Sequence, residues 1–119
     1  MDIIQRIKVK VTPGTIIPKP EAKGDFVVKD WGIRRKKDAL IYLIPNHKNP
    51  GKPDEKGVNV VELRRVYGRI RSGKNFTKAW FNRNMPDCAE EGDCNFTTIG
   101  GIFQLLGVVD YERGVYKPR

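Results

Sequence analysis

The sequence of 119 residues has two cysteines, one histidine and no long apolar run. Its longest uninterrupted apolar stretch is Ala39–Ile44, whereas a membrane helix needs about 20 such residues. Residues 1–11 mix apolar and basic side chains and lack the unbroken apolar segment of a secretory signal. These absences argue against a membrane partner or secretion, and we expect a cytoplasmic protein.

The two cysteines, Cys88 and Cys94, flank an acidic segment. Small secreted domains held by disulfides usually carry more cysteines. In a reducing cytosol we expect free thiols, with a disulfide between the two as the alternative. Together with His47 they offer three zinc ligands, where a structural site uses four. We therefore expect no metal site and no cofactor.

Motifs of catalysis are also missing. The sequence contains no serine-hydrolase elbow, phosphate-binding loop or dinucleotide fingerprint. Asp38 followed by Asp54-x-Lys56 resembles a family of metal-dependent nucleases, in which two carboxylates hold Mg²⁺ and a lysine helps to activate water. Residues 45–57 hold three prolines and two glycines, however, and a loop does not hold metal ligands rigidly. We expect no enzyme, and a nuclease is the third hypothesis.

Residues 1–50 have the pattern of a β-rich half. Alternating apolar and basic residues predict a strand over Ile4–Val11. Asp25–Arg35 and Ala39–Ile44 predict a hairpin connected by Lys36–Asp38. Two prolines make Thr15–Lys23 irregular. Three aromatic residues are expected to pack on this sheet: Phe26, Trp31 and Tyr42.

From Val58 onwards the apolar spacing changes to that of helices. Asn59 with Glu62 forms a capping box for a first helix, which Gly73 ends. A second helix extends from about Asn75 to Asn84, and Asn95 caps a third over Phe96–Leu106. The acidic residues 87–93 are expected to be a loop. Val108–Tyr111 and Val115–Lys117 predict a final hairpin around Glu112–Gly114.

Together these elements predict an α+β fold in a single domain over residues 1–119. A β-rich N-terminal half (1–50), made of a strand plus a hairpin, would pack on a three-helix C-terminal unit (57–119) ending in a short β-hairpin. The element order over residues 59–117 resembles the winged-helix (helix-turn-helix) superfamily. That resemblance implies that Phe96–Leu106 enters the DNA major groove, exposing Thr97, Thr98 and Gln104, and that the hairpin is a wing.

Positive charge is the strongest signal in the sequence. The formal net charge is +9, and residues 51–86 alone hold nine Lys and Arg against three Asp and Glu. Such residues bind phosphates, and arginine does so with two donors at once. We therefore predict a non-catalytic nucleic-acid-binding protein that binds DNA in preference to RNA. Its predicted site residues are Arg64, Arg65, Arg69, Arg71, Lys74, Lys78 and Arg83, with Arg113 at the hairpin tip.

Two alternatives stay open. Exposed arginines are often only solvating groups. Residues 87–119 hold six acids against three bases, so the basic face could instead meet an acidic protein partner or the acidic end of a second copy in a homodimer. A second basic cluster, made of Lys8, Lys10 and Arg34–Lys37, could bind single strands together with neighbouring aromatic residues.

Overall fold

The computed structural model describes residues 1–19 and 24–119 and has an α+β fold. Its first part is a four-stranded antiparallel half-barrel, followed by helices and a C-terminal hairpin. Within the predicted irregular segment Thr15–Lys23, a short strand forms at Ile16–Ile17, and residues 20–23 lie outside the described residues. The elements are α1 (Ile3–Lys10), β1 (Ile16–Ile17), β2 (Phe26–Arg34), β3 (Lys37–Ile44), β4 (Asp54–Asn59), α2 (Val60–Arg71), α3 (Lys78–Asn84), α4 (Pro86–Glu91), α5 (Cys94–Leu105), β5 (Val109–Glu112) and β6 (Val115–Pro118).

The first element is a helix, so the predicted strand over Ile4–Val11 is wrong. The side chain of Asp2 caps α1 by accepting a hydrogen bond from the amide of Ile4 at 3.2 Å. The helix buries Ile3, Ile4 and Ile7, which share one helical face. Val9, which the strand would have buried beside Ile7, is 70% exposed.

The sheet has the order β1-β2-β3-β4, and every neighbouring pair is antiparallel. The predicted β2–β3 hairpin is confirmed, but its turn is Arg35-Lys36 and not Lys36–Asp38, because Lys37 and Asp38 pair with Arg34 and Ile33. Phe26 and Tyr42 are buried as predicted, while Trp31 is half-buried.

The fourth strand corrects the predicted loop over residues 45–57. Asp54–Asn59 pairs with β3 along its whole length. This polar segment has no alternation that would predict a strand, so its conformation comes from the open edge of β3.

Four helices follow the sheet, where three were predicted. The capping box of Asn59 and Glu62 on α2 is confirmed. The extra helix is α4, within the predicted acidic loop, and Pro86 begins it at a position where proline fits a helix. The last helix begins at Cys94, so Asn95 lies inside α5 and is not its N-cap. The C-terminal hairpin is confirmed.

At the centre of the molecule lies α5. Eight of its residues are buried, and Gly100-Gly101 lets two neighbours approach closely. An added Cβ on Gly100 would lie 2.1 Å from Cζ of Tyr116, and one on Gly101 would lie 2.5 Å from Cγ2 of Ile17. Side chains at these two positions would therefore exclude Tyr116 and Ile17 from their places against α5. One hydrophobic cluster extends from Ile3 to Tyr116, so both halves of the sequence contribute to the same core.

Among the described residues, no helix is both long and apolar enough to cross a membrane.

Candidate nucleic-acid interface

The four arginines of α2 lie on its outer side in two rows. Arg64 and Arg71 are two turns apart, and Arg65 and Arg69 are one turn apart. Leu63, Val66 and Ile70 occupy the opposite, buried side of the helix. We call these four arginines the α2 arginine face.

One row faces α3. The guanidinium of Arg65 donates to the backbone oxygen of Asn84 at 2.8 Å, and that of Arg69 donates to the backbone oxygen of Asn75 at 2.7 Å. Arg69 also lies over the ring of Trp80, with 5.1 Å between its guanidinium carbon and the ring centroid. These contacts fix the direction of both side chains and bring no negative charge to them.

The other row faces α1. Arg64 forms an ion pair with Asp2 at 3.3 Å. Arg71 lies 5.8 Å from the ring centroid of Tyr67, whose hydroxyl accepts a hydrogen bond from Arg6 at 3.5 Å. The row therefore extends onto α1 through Arg6.

No acid on α2 neutralises this face. Glu62 is the one acidic residue of the helix, and its side chain is only 12% exposed. It accepts from the amide of Asn59 at 2.8 Å and binds Arg35 through both carboxylate oxygens, at 2.7 and 2.8 Å. The outer side of the helix is left with positive charge only.

Arg35 belongs to an inward polar network that ties five elements together. Besides Glu62 it binds Glu91 at 2.9 Å and the backbone oxygen of Gly57 at 2.7 Å. Glu91 also accepts from Asn95, whose amide oxygen accepts a hydrogen bond from the buried hydroxyl of Tyr42 at 2.6 Å. Asn95 is fully buried, and this bonding explains why it does not cap the helix.

The network shifts the pKa values of its members. Hydrogen bonding to Glu62 raises the pKa of Arg35, and burial raises the pKa of Tyr42. Burial would favour the neutral form of Glu91, but hydrogen bonds from Asn95 and Arg35 outweigh it and lower its pKa. Both charges of the ion pair are thus fixed at neutral pH, and Arg35 is not available to a ligand.

The remaining predicted cations are dispersed. Lys78 pairs with Asp93 at 3.3 Å. Lys74, in the turn after α2, and Arg83, in the last turn of α3, are exposed. Arg113 is exposed at the hairpin tip, and no hydrogen bond or ion pair joins it to another described residue. Of the eight predicted site residues, Arg64 and Lys78 are the two that form ion pairs within the described ranges 1–19 and 24–119.

The second basic cluster is divided between α1 and the β2–β3 hairpin. Arg34 and Arg35 are both bound to Glu91. Lys8 lies 4.8 Å from the ring centroid of Trp31, but on a helix and not on the strand that was predicted. The four lysines of this cluster, Lys8, Lys10, Lys36 and Lys37, are exposed and form no ion pair with the described residues.

The predicted recognition helix, α5, is largely buried. Thr98, one of its three expected contact residues, is fully buried, and Thr97 and Gln104 are only half-exposed. The helix lies in the core between the sheet and the C-terminal hairpin. The expected exposure of Thr98 on this helix is therefore wrong.

The nuclease constellation is also spread out. Asp54 and Lys56 lie on a strand, contrary to the predicted loop, but Asp54 pairs with Ile44 while Asp38 is at the other end of β3. Six residues of strand separate the two acids by about 20 Å, too far to share a metal ion. Cys88 and Cys94 are free thiols, of which Cys88 is buried.

Beside the α2 arginine face opens a cleft of about 230 Å³, which we call the α2–α4 cleft. Val61, Met85 and Pro86 line it with apolar surface. Its polar lining comes from the β2–β3 hairpin, from α2 and from the α3–α4 junction, and comprises Arg35, Lys37, Asn59, Glu62, Arg65, Asn84 and Asp87.

Sequence reasoning missed Asn84 and Asp87 as candidate site residues. Lys37 was predicted only as a member of the second basic cluster, because the sequence does not show that the β2–β3 hairpin lies beside α4. The sequence signal for the cleft is Pro86, because proline is favoured at the first position of a helix. Because a second helix begins there, the chain bends sharply between α3 and α4, and this bend forms a wall of the cleft.

No protein-family model, curated protein or solved structure matches this chain. The winged-helix resemblance stays a prediction.

Proposed function

We propose that this protein is a non-catalytic nucleic-acid-binding protein that holds the phosphate backbone of DNA on the α2 arginine face. The observation that carries the proposal is the orientation of Glu62. This carboxylate points inward to Arg35, so the outer side of α2 keeps its arginines without neutralisation by the helix. Arg65 and Arg69 lie one turn apart, and the repulsion between their charges destabilises the helix by a few tenths of a kcal/mol. A phosphate bound between them would offset this repulsion.

Lys74, in the turn after α2, and Arg83, in the last turn of α3, add two exposed positive charges. Each cation that neutralises a phosphate releases a counterion, so affinity falls steeply with salt. With the four arginines and these two residues engaged, log affinity for duplex DNA should fall with log salt at a slope of about 5. Phosphate contacts alone carry no base sequence information, so we expect weak sequence preference.

The test is fluorescence anisotropy with a labelled random DNA duplex, and with single-stranded RNA, across a salt series from about 50 mM. The double variant Arg65→Glu/Arg69→Glu should lose binding, and Arg65→Gln/Arg69→Gln should lower the slope by about 2. The matched control is Lys48→Glu/Lys52→Glu, which changes the charge equally at two exposed residues of the loop before β4. Equal losses in test and control variants, or no binding by the wild type, would overturn the proposal.

The second candidate is a protein interface, favoured by the exposed acids Asp87 and Glu90 on α4. A second copy could present them to the α2 arginine face of the first. Self-association that dissolves at high salt, with no nucleic acid present, would support this candidate over the first.

A further inference from the structure

We propose that the α2–α4 cleft takes one unpaired base from a DNA strand bound on the α2 arginine face, an inference that rests on the proposed function. Arg65 belongs to both surfaces, since it is part of the arginine face and also lines the cleft. A strand held by Arg65 and Arg69 therefore passes the mouth of the cleft. No separate docking surface is needed.

The size of the cleft suits a single heterocycle. Its volume of about 230 Å³ lies below the roughly 300 Å³ at which pockets for drug-sized molecules begin. Val61, Met85 and Pro86 supply apolar contacts for the face of a base. A base pair is too wide for this space, so the base must be unpaired or lifted out of the duplex.

The polar lining accepts hydrogen bonds where a base edge would lie. The amide nitrogen of Asn84 donates to the backbone oxygen of Trp80 at 2.9 Å, which leaves its amide oxygen as the group for a ligand. Asp87 adds an exposed carboxylate that forms no ion pair with the described residues. Two acceptors favour bases with an exocyclic amino group, such as the N4 amino group of cytosine, over thymine.

Other polar groups of the cleft are already engaged. The side chain of Asn59 accepts from the amide of Glu62 and donates to the backbone oxygen of Arg34. Arg35 is held by Glu62 and Glu91. Lys37 and Arg65 are then the cations at the rim that can bind the phosphates on either side of the inserted base, because neither forms an ion pair within the described part of the chain.

The experiment compares anisotropy binding of a blunt DNA duplex with that of the same duplex carrying one bulged cytosine or one bulged thymine. We expect the wild type to bind the cytosine bulge about tenfold more tightly than the blunt duplex, since stacking one base on protein is worth about that much. The thymine bulge should fall between the two. Asp87→Asn should reduce the difference in affinity between the duplexes with the cytosine bulge and the thymine bulge.

Val61→Phe fills the cleft and should lower the affinity for the cytosine bulge to that for the blunt duplex. Binding of the blunt duplex should not change, because Val61 is uncharged. Val9→Phe is the matched control, since Val9 is likewise exposed on a helix but is not part of the cleft lining. Circular dichroism establishes that both variants fold.

The outcomes separate the two proposals. If the wild type binds blunt and bulged duplexes equally, the base cleft is overturned and the proposed function stands. If the wild type binds neither the blunt nor the bulged duplex, both proposals are overturned. A preference for the bulge that survives Val61→Phe overturns the cleft as its cause, and equal binding of the two bulges overturns the roles of Asn84 and Asp87.

Discussion

The absence of a side chain at Gly100 lets α5 and the C-terminal hairpin pack closely together. The ring of Tyr116 occupies the space where a Cβ would stand, and it packs there against Phe96 and Phe76. A rigid ring in a filled core cannot give way as the end of a flexible chain can. The glycine pair could be predicted from the sequence as a close contact, but the residues that fill it could not, because they are distant in the chain.

Gly100→Ala should therefore destabilise the protein by about 3 kcal/mol, the upper part of the usual cost of overpacking a core. Gly68→Ala is the contrasting change, since nothing lies within 4 Å of an added Cβ there. Alanine in the middle of an exposed helix should stabilise by up to about 1 kcal/mol. Urea denaturation of both variants tests this, and similar effects of the two changes would contradict the packing argument.

The β2–β3 turn shows why its position was predicted wrongly. Arg35 and Lys36 both have positive φ angles, 51° and 66°, as a two-residue hairpin turn requires. Asparagine and glycine are the residues that normally signal this turn, and neither is present. The strained backbone of Arg35 is held by its side-chain bonds to Glu62 and Glu91, which a local sequence pattern does not reveal.

At the scale of elements, the helices α2 and α5 and both hairpins could be predicted, and α1, β4 and α4 could not. The β-branched residues of α1 favour a strand by propensity, yet Ile3, Ile4, Ile7 and Val11 are buried with the spacing of a helix. The polar strand β4 forms because β3 offers it a partner edge. In both cases tertiary packing overrides the local preference.

The N-terminus of α2 depends on Asn59. Its side chain accepts from the amide of Glu62 at 2.9 Å and donates to the backbone oxygen of Arg34 at 3.2 Å, and it is buried. Asn59→Ala removes both bonds and should destabilise the protein by about 2 kcal/mol. Asn59→Ser keeps an acceptor for the cap and should recover part of the loss. Thermal unfolding distinguishes the two, and an unaffected alanine variant would show that the cap is unimportant.

At the scale of the whole molecule, the Arg35–Glu62–Glu91 network joins the β2–β3 turn to β4, α2, α4 and α5. The charge pattern in the sequence identified the arginines of α2 but not this network, because pairing depends on which acids the fold turns inward. Acids of the segment 87–93 pair within the fold: Glu91 binds the hairpin arginines, Arg34 and Arg35, and Asp93 binds Lys78.

This network predicts a sensitivity to acid. The pKa of Glu91 is lowered in the folded state, so its stabilisation is fully present above about pH 5 and is lost as the pH falls through that lowered value. Glu91→Gln should cost about 2 kcal/mol at pH 7 and should flatten the decline in stability below about pH 5.

Urea denaturation at several pH values measures both effects. Glu90→Gln is the control, because Glu90 precedes Glu91 directly in the sequence. The carboxylate of Glu90 is exposed and forms no ion pair among the described residues. If the free energy of unfolding of Glu91→Gln fell with acid as steeply as that of the wild type, the role of Glu91 in acid sensitivity would be contradicted.

The packing around the two glycines of α5 also affects how fast the protein folds. Ile17 closes on Gly101 and Tyr116 closes on Gly100, so the central helix is enclosed only by residues from opposite parts of the chain. Contacts between such distant residues slow folding, because the chain loses entropy before they form. During synthesis, Phe76 and Phe96 stay exposed until Tyr116 has left the ribosome and can pack on them. Exposed apolar side chains make a partly folded chain prone to aggregation, against which chaperones protect it.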